Sequence, residues 1–183
     1  LLMIGFYCGI ILIMKNNIVV YPGSFDPITK GHYDIIKRAS SIFPKREIQV
    51  IVADNRDKKH MFSGEERFEI VQKTLVKLKN VKVILYDGIL SDYLIENKVP
   101  VMIRGIRNSI DFEYESNLEQ FTRDTSKTET VYLSPLIKHS NTSSSLVRNF
   151  IQFSNIEKIK KYVLNETYEE IIKIMNSRNA IIC

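Results

Sequence analysis

The chain has 183 residues, 44% of them hydrophobic and 26% charged, with a formal net charge of +5. That length suits one domain, and the composition with its mean hydropathy of -0.10 excludes a disordered or fibrous chain. Basic residues outnumber acidic ones by 26 to 21 without a run of four, so the charge suits an anionic ligand but carries no nucleic-acid signature.

The first 14 residues, LLMIGFYCGIILIM, are almost wholly apolar. They fall short of the roughly 20 residues of a membrane span. They also lack the basic start and small-residue cleavage site of a signal peptide. Met14-Lys15-Asn16-Asn17 reads as a natural start, so residues 1–13 are expected to be an upstream-translated or non-native extension. A short membrane-associating tail is the alternative. Cys8 and Cys183 have no CxxC partner, which argues against a disulfide framework or a zinc site and suits a reducing cytoplasm.

Strand-like and helix-like segments then alternate. Asn17–Tyr21 (NIVVY) is a short apolar run closed by Pro22-Gly23, a buried strand and turn. His32–Phe43 spaces Ile35, Ile36, Ala39, Ile42 and Phe43 as one helical face. Glu47–Ala53 is a second strand. Ser63-Gly64-Glu65-Glu66 is a capping box, opening a helix that turns Phe68, Val71, Leu75 and Leu78 inward. Val81–Tyr86 is a third strand, Ser91–Asn97 a short helix and Val99–Ile103 a fourth strand. Ser109–Thr122 is helical, Thr130–Ser134 a fifth strand, and Ser143 onward helical nearly to the end. This alternation predicts an α/β fold with a mostly parallel sheet. Ligands of such sheets bind beyond the carboxyl ends of the strands, which singles out the loops after strands one, two, four and five.

The first of these loops runs from Tyr21 to His32 and contains Gly23 and Gly31, where backbone can approach a ligand closely. His32 falls at a helix start, where free N–H groups and the helix dipole favour an anion. The bland alternative is that Thr29 caps the helix and His32 sits at the surface. No Walker A spacing is present. Asp54–Phe62 brings Lys58 and Lys59, mobile point charges that can meet a phosphate. Arg104-Gly105-Ile106-Arg107 offers two guanidinium forks, suited to two phosphate groups. Asp111, Glu113 and Glu115 follow, where acidic residues also serve the helix dipole. Thr142-Ser143-Ser144-Ser145 opens another helix, as a second anion site or as a local cap and turn. No paired carboxylates, no ordered Ser–His–Asp set and no nucleophilic cysteine accompany them.

The segments YPGSFDPITKGH, KKHMF, EER, IRGIRNSIDFEYE and SSSLVR, in this order and spacing over about residues 17–165, resemble the bacterial phosphopantetheine adenylyltransferases. These belong to the nucleotidyltransferase superfamily with an (H/T)xGH motif. The resemblance implies a single Rossmann-like domain over residues 14–183, with a five-stranded parallel sheet, helices on both faces and a helical C-terminal tail. It implies transfer of AMP from ATP to 4′-phosphopantetheine, releasing pyrophosphate, without a covalent intermediate. His32 would stabilise charge at the α-phosphate, and Lys58 and Arg104 would hold the acceptor phosphate. Ser24 would line both substrate sites and Leu90 the pantetheine arm. Phe25, His32, Gly105, Ile106, Arg107 and Glu115 would contact ATP, as would His139, Ser140, Asn141, Thr142, Ser143, Ser144 and Ser145.

Mg²⁺ would ride on the ATP phosphates, with no protein cage. The resemblance further implies a cytoplasmic homo-oligomer, a hexamer, with feedback by coenzyme A and no nucleic-acid or membrane partner. His139 and Thr142 depart from the aromatic and branched aliphatic residues usual there, which bears on adenine packing. Two rivals stay open: another acceptor, such as nicotinate mononucleotide or glycerol 3-phosphate, and a non-catalytic nucleotide-binding protein.

Overall fold

Five short apolar runs pair into one fully parallel sheet. They are β1 (Ile18–Gly23), β2 (Glu47–Ala53), β3 (Val81–Tyr86), β4 (Val101–Gly105) and β5 (Glu129–Leu133), in the order β3-β2-β1-β4-β5. The computed structural model describes residues 17–54 and 58–182, without the side chains of residues 114, 118, 179, 181 and 182. The extension expected over residues 1–13 lies outside the described residues.

Helices follow the strands: α1 (Lys30–Ile42), α2 (Gly64–Leu75), α3 (Leu90–Glu96), α4 (Ser109–Ser126), α5 (Ser144–Gln152) and α6 (Asn165–Ile182), with 3-10 turns at Ile137–His139 and Ile156–Lys161. Their starts follow from local chemistry. Thr29, Ser63, Asn108 and Ser143 cap α1, α2, α4 and α5, each accepting a backbone N–H from three residues on. The Ser63–Glu66 capping box forms in both directions, at 3.2 and 2.7 Å.

Period-two alternation divides the core. Val19 and Tyr21 of β1 and Ile48, Val50 and Val52 of β2 face a large cluster filled by α1, α2, α5 and α6. Val20, Ile51 and Met102 face a smaller one with Tyr93, Leu94 and Val99. Strand order reverses between β1 and β4, so the loops leaving those two strands diverge and open a crevice.

Several boundaries differ from expectation. Pro22 and Gly23 are not a turn; they continue β1, paired with Ile51 and Val52. The ladder to β4 is registered only at Val19 and Val20, so it has ended before the residue that lacks an N–H. β4 runs two residues later than expected, because pairing begins only after Pro100. Ile42, expected inward, is 52% exposed at the end of α1. The inward face of α2 carries Ile70, Val71 and Leu75, but also Arg67, which is fully buried. The segment after Ser143 breaks into α5, a 3-10 turn and α6.

Candidate active site

A cavity of about 560 Å³ opens at the carboxyl ends of the strands, walled by the loops after β1, β2, β4 and β5. Its size and place are those of a ligand crevice at a sheet's switch point.

The loop after β1 forms the floor. Phe25 sits at φ 47, turning its ring inward, edge-on to Tyr21 at 5.7 Å and to His32 at 5.3 Å. A Cβ on Gly23 would lie 2.9 Å from that ring, so the Phe25 packing requires glycine there. A Cβ on Gly31 would meet only ordinary contacts, the nearest at 3.6 Å.

His32 is the third residue of α1 and closes an unusual capping box. The Thr29 N–H donates to its Nδ1 at 3.1 Å, while Thr29 Oγ1 accepts the His32 N–H. An Nδ1 that accepts leaves the ring proton on Nε2. Burial, with help from the Arg107 charge, lowers the His32 pKa to about 4. The imidazole is therefore neutral near pH 7 and has one donor left to offer a ligand.

Asp26 holds the loops together. Its carboxylate is buried and accepts the N–H groups of Met61 at 3.0 Å and Phe62 at 3.1 Å, fixing the end of the loop that carries Lys58 and Lys59. Arg148 of α5 donates to the Asp26 carbonyl at 2.7 Å, and Ser144 Oγ donates to the Pro27 carbonyl at 2.8 Å. The N-terminus of α5 is thereby docked against that of α1. Both line the cavity, through Thr29, Gly31 and His32 on one side and Ser143, Ser144 and Ser145 on the other. Two helix starts aimed at one space make a site for anions.

Ser24, Phe25, His32, Lys58, Gly105, Arg107, Glu115, Thr142, Ser143, Ser144 and Ser145 thus meet at the cavity as expected. Leu90, Arg104, Ile106, His139, Ser140 and Asn141 are not among its lining residues. Arg104 lies inside β4 rather than after it, in phase with Met102 and so on the α4 side of the sheet, with Nε 3.2 Å from Glu115 Oε2. Leu90 packs against the smaller core cluster. Arg107 is tied to Asp111 at 2.9 Å on the surface, a pair weak enough for a phosphate to displace.

Among the polar lining residues, sequence reasoning gave no site role to Asp26, His60 and Arg148. Arg148 falls one turn beyond Ser144 on the helix that opens the cavity, a spacing that was available as a signal. His60 places Nδ1 3.6 Å from Asp26 Oδ2, and its Nε2 is buried without a hydrogen-bond partner. Nothing in its sequence context marks that.

The fold and cavity define a doubly wound domain built to receive a polyanionic nucleotide at its switch point. The model of the family described as "Cytidylyltransferase-like" matches residues 20–150. A phosphopantetheine adenylyltransferase of Clostridium perfringens (strain SM101 / Type A) is 41% identical over 153 residues, covering 83% of this chain and 91% of the relative. One from Nautilia profundicola is 42% identical over 136 residues, covering 74% and 87%. Among solved structures, Plasmodium falciparum nicotinic acid mononucleotide adenylyltransferase complexed with NaAD aligns with a TM-score of 0.65 at 22% identity, covering 87% of this chain and 96% of that one. It shares the fold. The chain belongs to the cytidylyltransferase-like family and, within it, to the phosphopantetheine adenylyltransferases.

Proposed function

We propose that the chain transfers the adenylyl group of ATP to the phosphate of 4′-phosphopantetheine, giving dephospho-coenzyme A and pyrophosphate. An acceptor phosphate oxygen forms the new bond to the α-phosphorus, and the bond from that phosphorus to the bridging oxygen breaks as pyrophosphate leaves. The nucleophile is already an anion, so no general base is needed. Catalysis is then positioning and charge stabilisation. The observation that carries this reading is the His32 imidazole, held neutral with its Nε2 proton free in a cavity lined by two helix starts and by Lys58, Lys59 and Arg107. Such a donor favours charge that grows on a phosphoryl oxygen.

Lys58 is the cavity residue suited to the acceptor phosphate. Arg104 would join it by leaving Glu115, since a dianion is the stronger partner for a guanidinium. Among the described residues no group of three or more His, Cys, Asp or Glu side chains could hold a metal ion. Mg²⁺ would ride on the ATP phosphates, where it would offset charge on the departing pyrophosphate. A hexameric, cytoplasmic enzyme subject to coenzyme A feedback completes the proposal. Ile110, Phe112 and Phe121, exposed on α4, are consistent with self-association, and no described helix is long and apolar enough to cross a membrane.

Pyrophosphate release with ATP and 4′-phosphopantetheine, run beside nicotinate mononucleotide, tests the reading. Turnover with 4′-phosphopantetheine is expected. Turnover with nicotinate mononucleotide alone would reassign the acceptor, and none with either would remove the activity.

A further inference from the structure

The C-terminal helix packs against α2, outside the cavity. α6 runs antiparallel along α2. Glu166 pairs with Lys77 at 2.7 Å, and Thr167 Oγ1 meets Thr74 Oγ1 at 2.7 Å in a buried contact. Three turns on, this registration brings Arg178 to the start of α2. There its Nη1 and Nη2 both donate to the Met61 carbonyl at 3.2 Å, and its Nε donates to Glu66 Oε1 at 3.0 Å. Its guanidinium also lies 5.4 Å from the centre of the buried Phe62 ring and forms an ion pair with Glu66 Oε2.

Met61 and Phe62 are held at every backbone polar group. Asp26 takes both N–H groups, Arg67 Nε donates to the Phe62 carbonyl at 3.1 Å, and Arg178 takes the Met61 carbonyl. The first two anchors come from the nucleotide-binding core. The third comes from the far end of the chain. Lys58, three residues upstream of Met61, is exposed and lines the cavity. Its position follows from the backbone that these anchors fix.

We propose that Arg178 is a positioning residue that sets acceptor affinity by fixing the Lys58–Phe62 loop from the C-terminal helix. This rests on the reading of Lys58 as the acceptor-phosphate contact. Arg178 itself lines no part of the cavity, and its side chain is 42% exposed.

The test is steady-state kinetics of Arg178→Ala with both substrates varied in turn. The KM for 4′-phosphopantetheine should rise on the order of tenfold, as for a small misplacement of a binding group, while the KM for ATP stays within about twofold. Arg178→Lys, with one donor centre and no fork, should recover part of the loss. In a Lys58→Ala background, Arg178→Ala should add almost nothing, because both act on one contact. Equal rises in both KM values, unchanged kinetics, or losses that add in the double variant would each overturn the proposal. An inactive parent enzyme would instead strike at the assigned reaction, so the two failures are distinguishable.

Discussion

Arg67 is the buried cation on which the site end of the sheet depends. It has no solvent exposure, and its fork donates to the carbonyls of Phe62 at 3.1 Å, Ser24 at 2.7 Å and Ala53 at 2.8 Å, and to the Asp54 carboxylate. One side chain thus ties the exits of β1 and β2 to the start of α2. Arg67→Met keeps most of the volume and removes every donor. Hydrogen bonds from a charged group contribute about 1.5–3 kcal/mol each, but carbonyls relax and partly find other donors. The range for breaking one side of a buried pair, about 3–5 kcal/mol, is the better guide.

Asp54 is 34% exposed and keeps some hydration, which moves the expectation to the lower end, about 3 kcal/mol. For a chain of this size that lowers Tm by about 6–12 °C. Calorimetry at fixed protein concentration measures it, with urea unfolding as the second probe. Arg67→Lys should recover less than half, since one ammonium cannot serve acceptors spread over three segments. A Met variant within about 1 kcal/mol of the parent would refute the idea that this fork holds the strand ends.

Further outcomes follow from other contacts. His32→Ala should lower kcat by about 10²–10³-fold with little change in ATP affinity, as for loss of a transition-state donor; unchanged turnover would end its assigned role. His32 should titrate near pH 4 in the free chain by NMR, and bound ATP should raise that value. The sign for stability is set by the unfolded chain, whose imidazole protonates first, near 6.5. The neutral ring therefore carries no penalty above that pH, and stability falls as pH drops from 6.5 towards 4. A His32 resonance titrating near 6.5 would contradict the buried neutral ring. Gly105→Ala would bring a Cβ within 2.8 Å of Ile35 Cδ1 and 3.1 Å of the Tyr21 hydroxyl. Overpacking of this kind costs about 1–3 kcal/mol, read as a fall in Tm, and a neutral result would mean that Ile35 simply turns aside. Arg104→Ala should raise the KM for the acceptor phosphate; unaltered kinetics would leave Arg104 as a structural partner of Glu115.

Sequence pattern carried much of this because short strands were bounded by clear breakers. Glu47–Ala53 and Val81–Tyr86 pair over the expected residues. The carboxyl-edge rule points to the loops that wall the cavity. Where pattern failed, the cause was tertiary. Val99 is apolar and buried, so it reads as strand, yet pairing starts two residues later. That shift places Arg104 inside the strand rather than in the loop after it, and no periodicity within VPVMI reveals it. Arg67 interrupts the apolar stripe of α2, and its acceptors include Ser24 and Ala53 on the exits of two strands as well as the nearby Phe62. Likewise, Asp26 becomes a hub only once the loop after β2 has folded back over it.

The strand order also bears on how such a domain can diversify. With β1 at the centre, one wall of the crevice comes from the β2 side and the opposite wall from the β4 and β5 side. The two walls meet at Asp26, which holds the loop after β2 on one side and Arg148 of α5 on the other. Changes confined to one side of β1 would therefore reshape half of the crevice while leaving the strands that carry the other half in place.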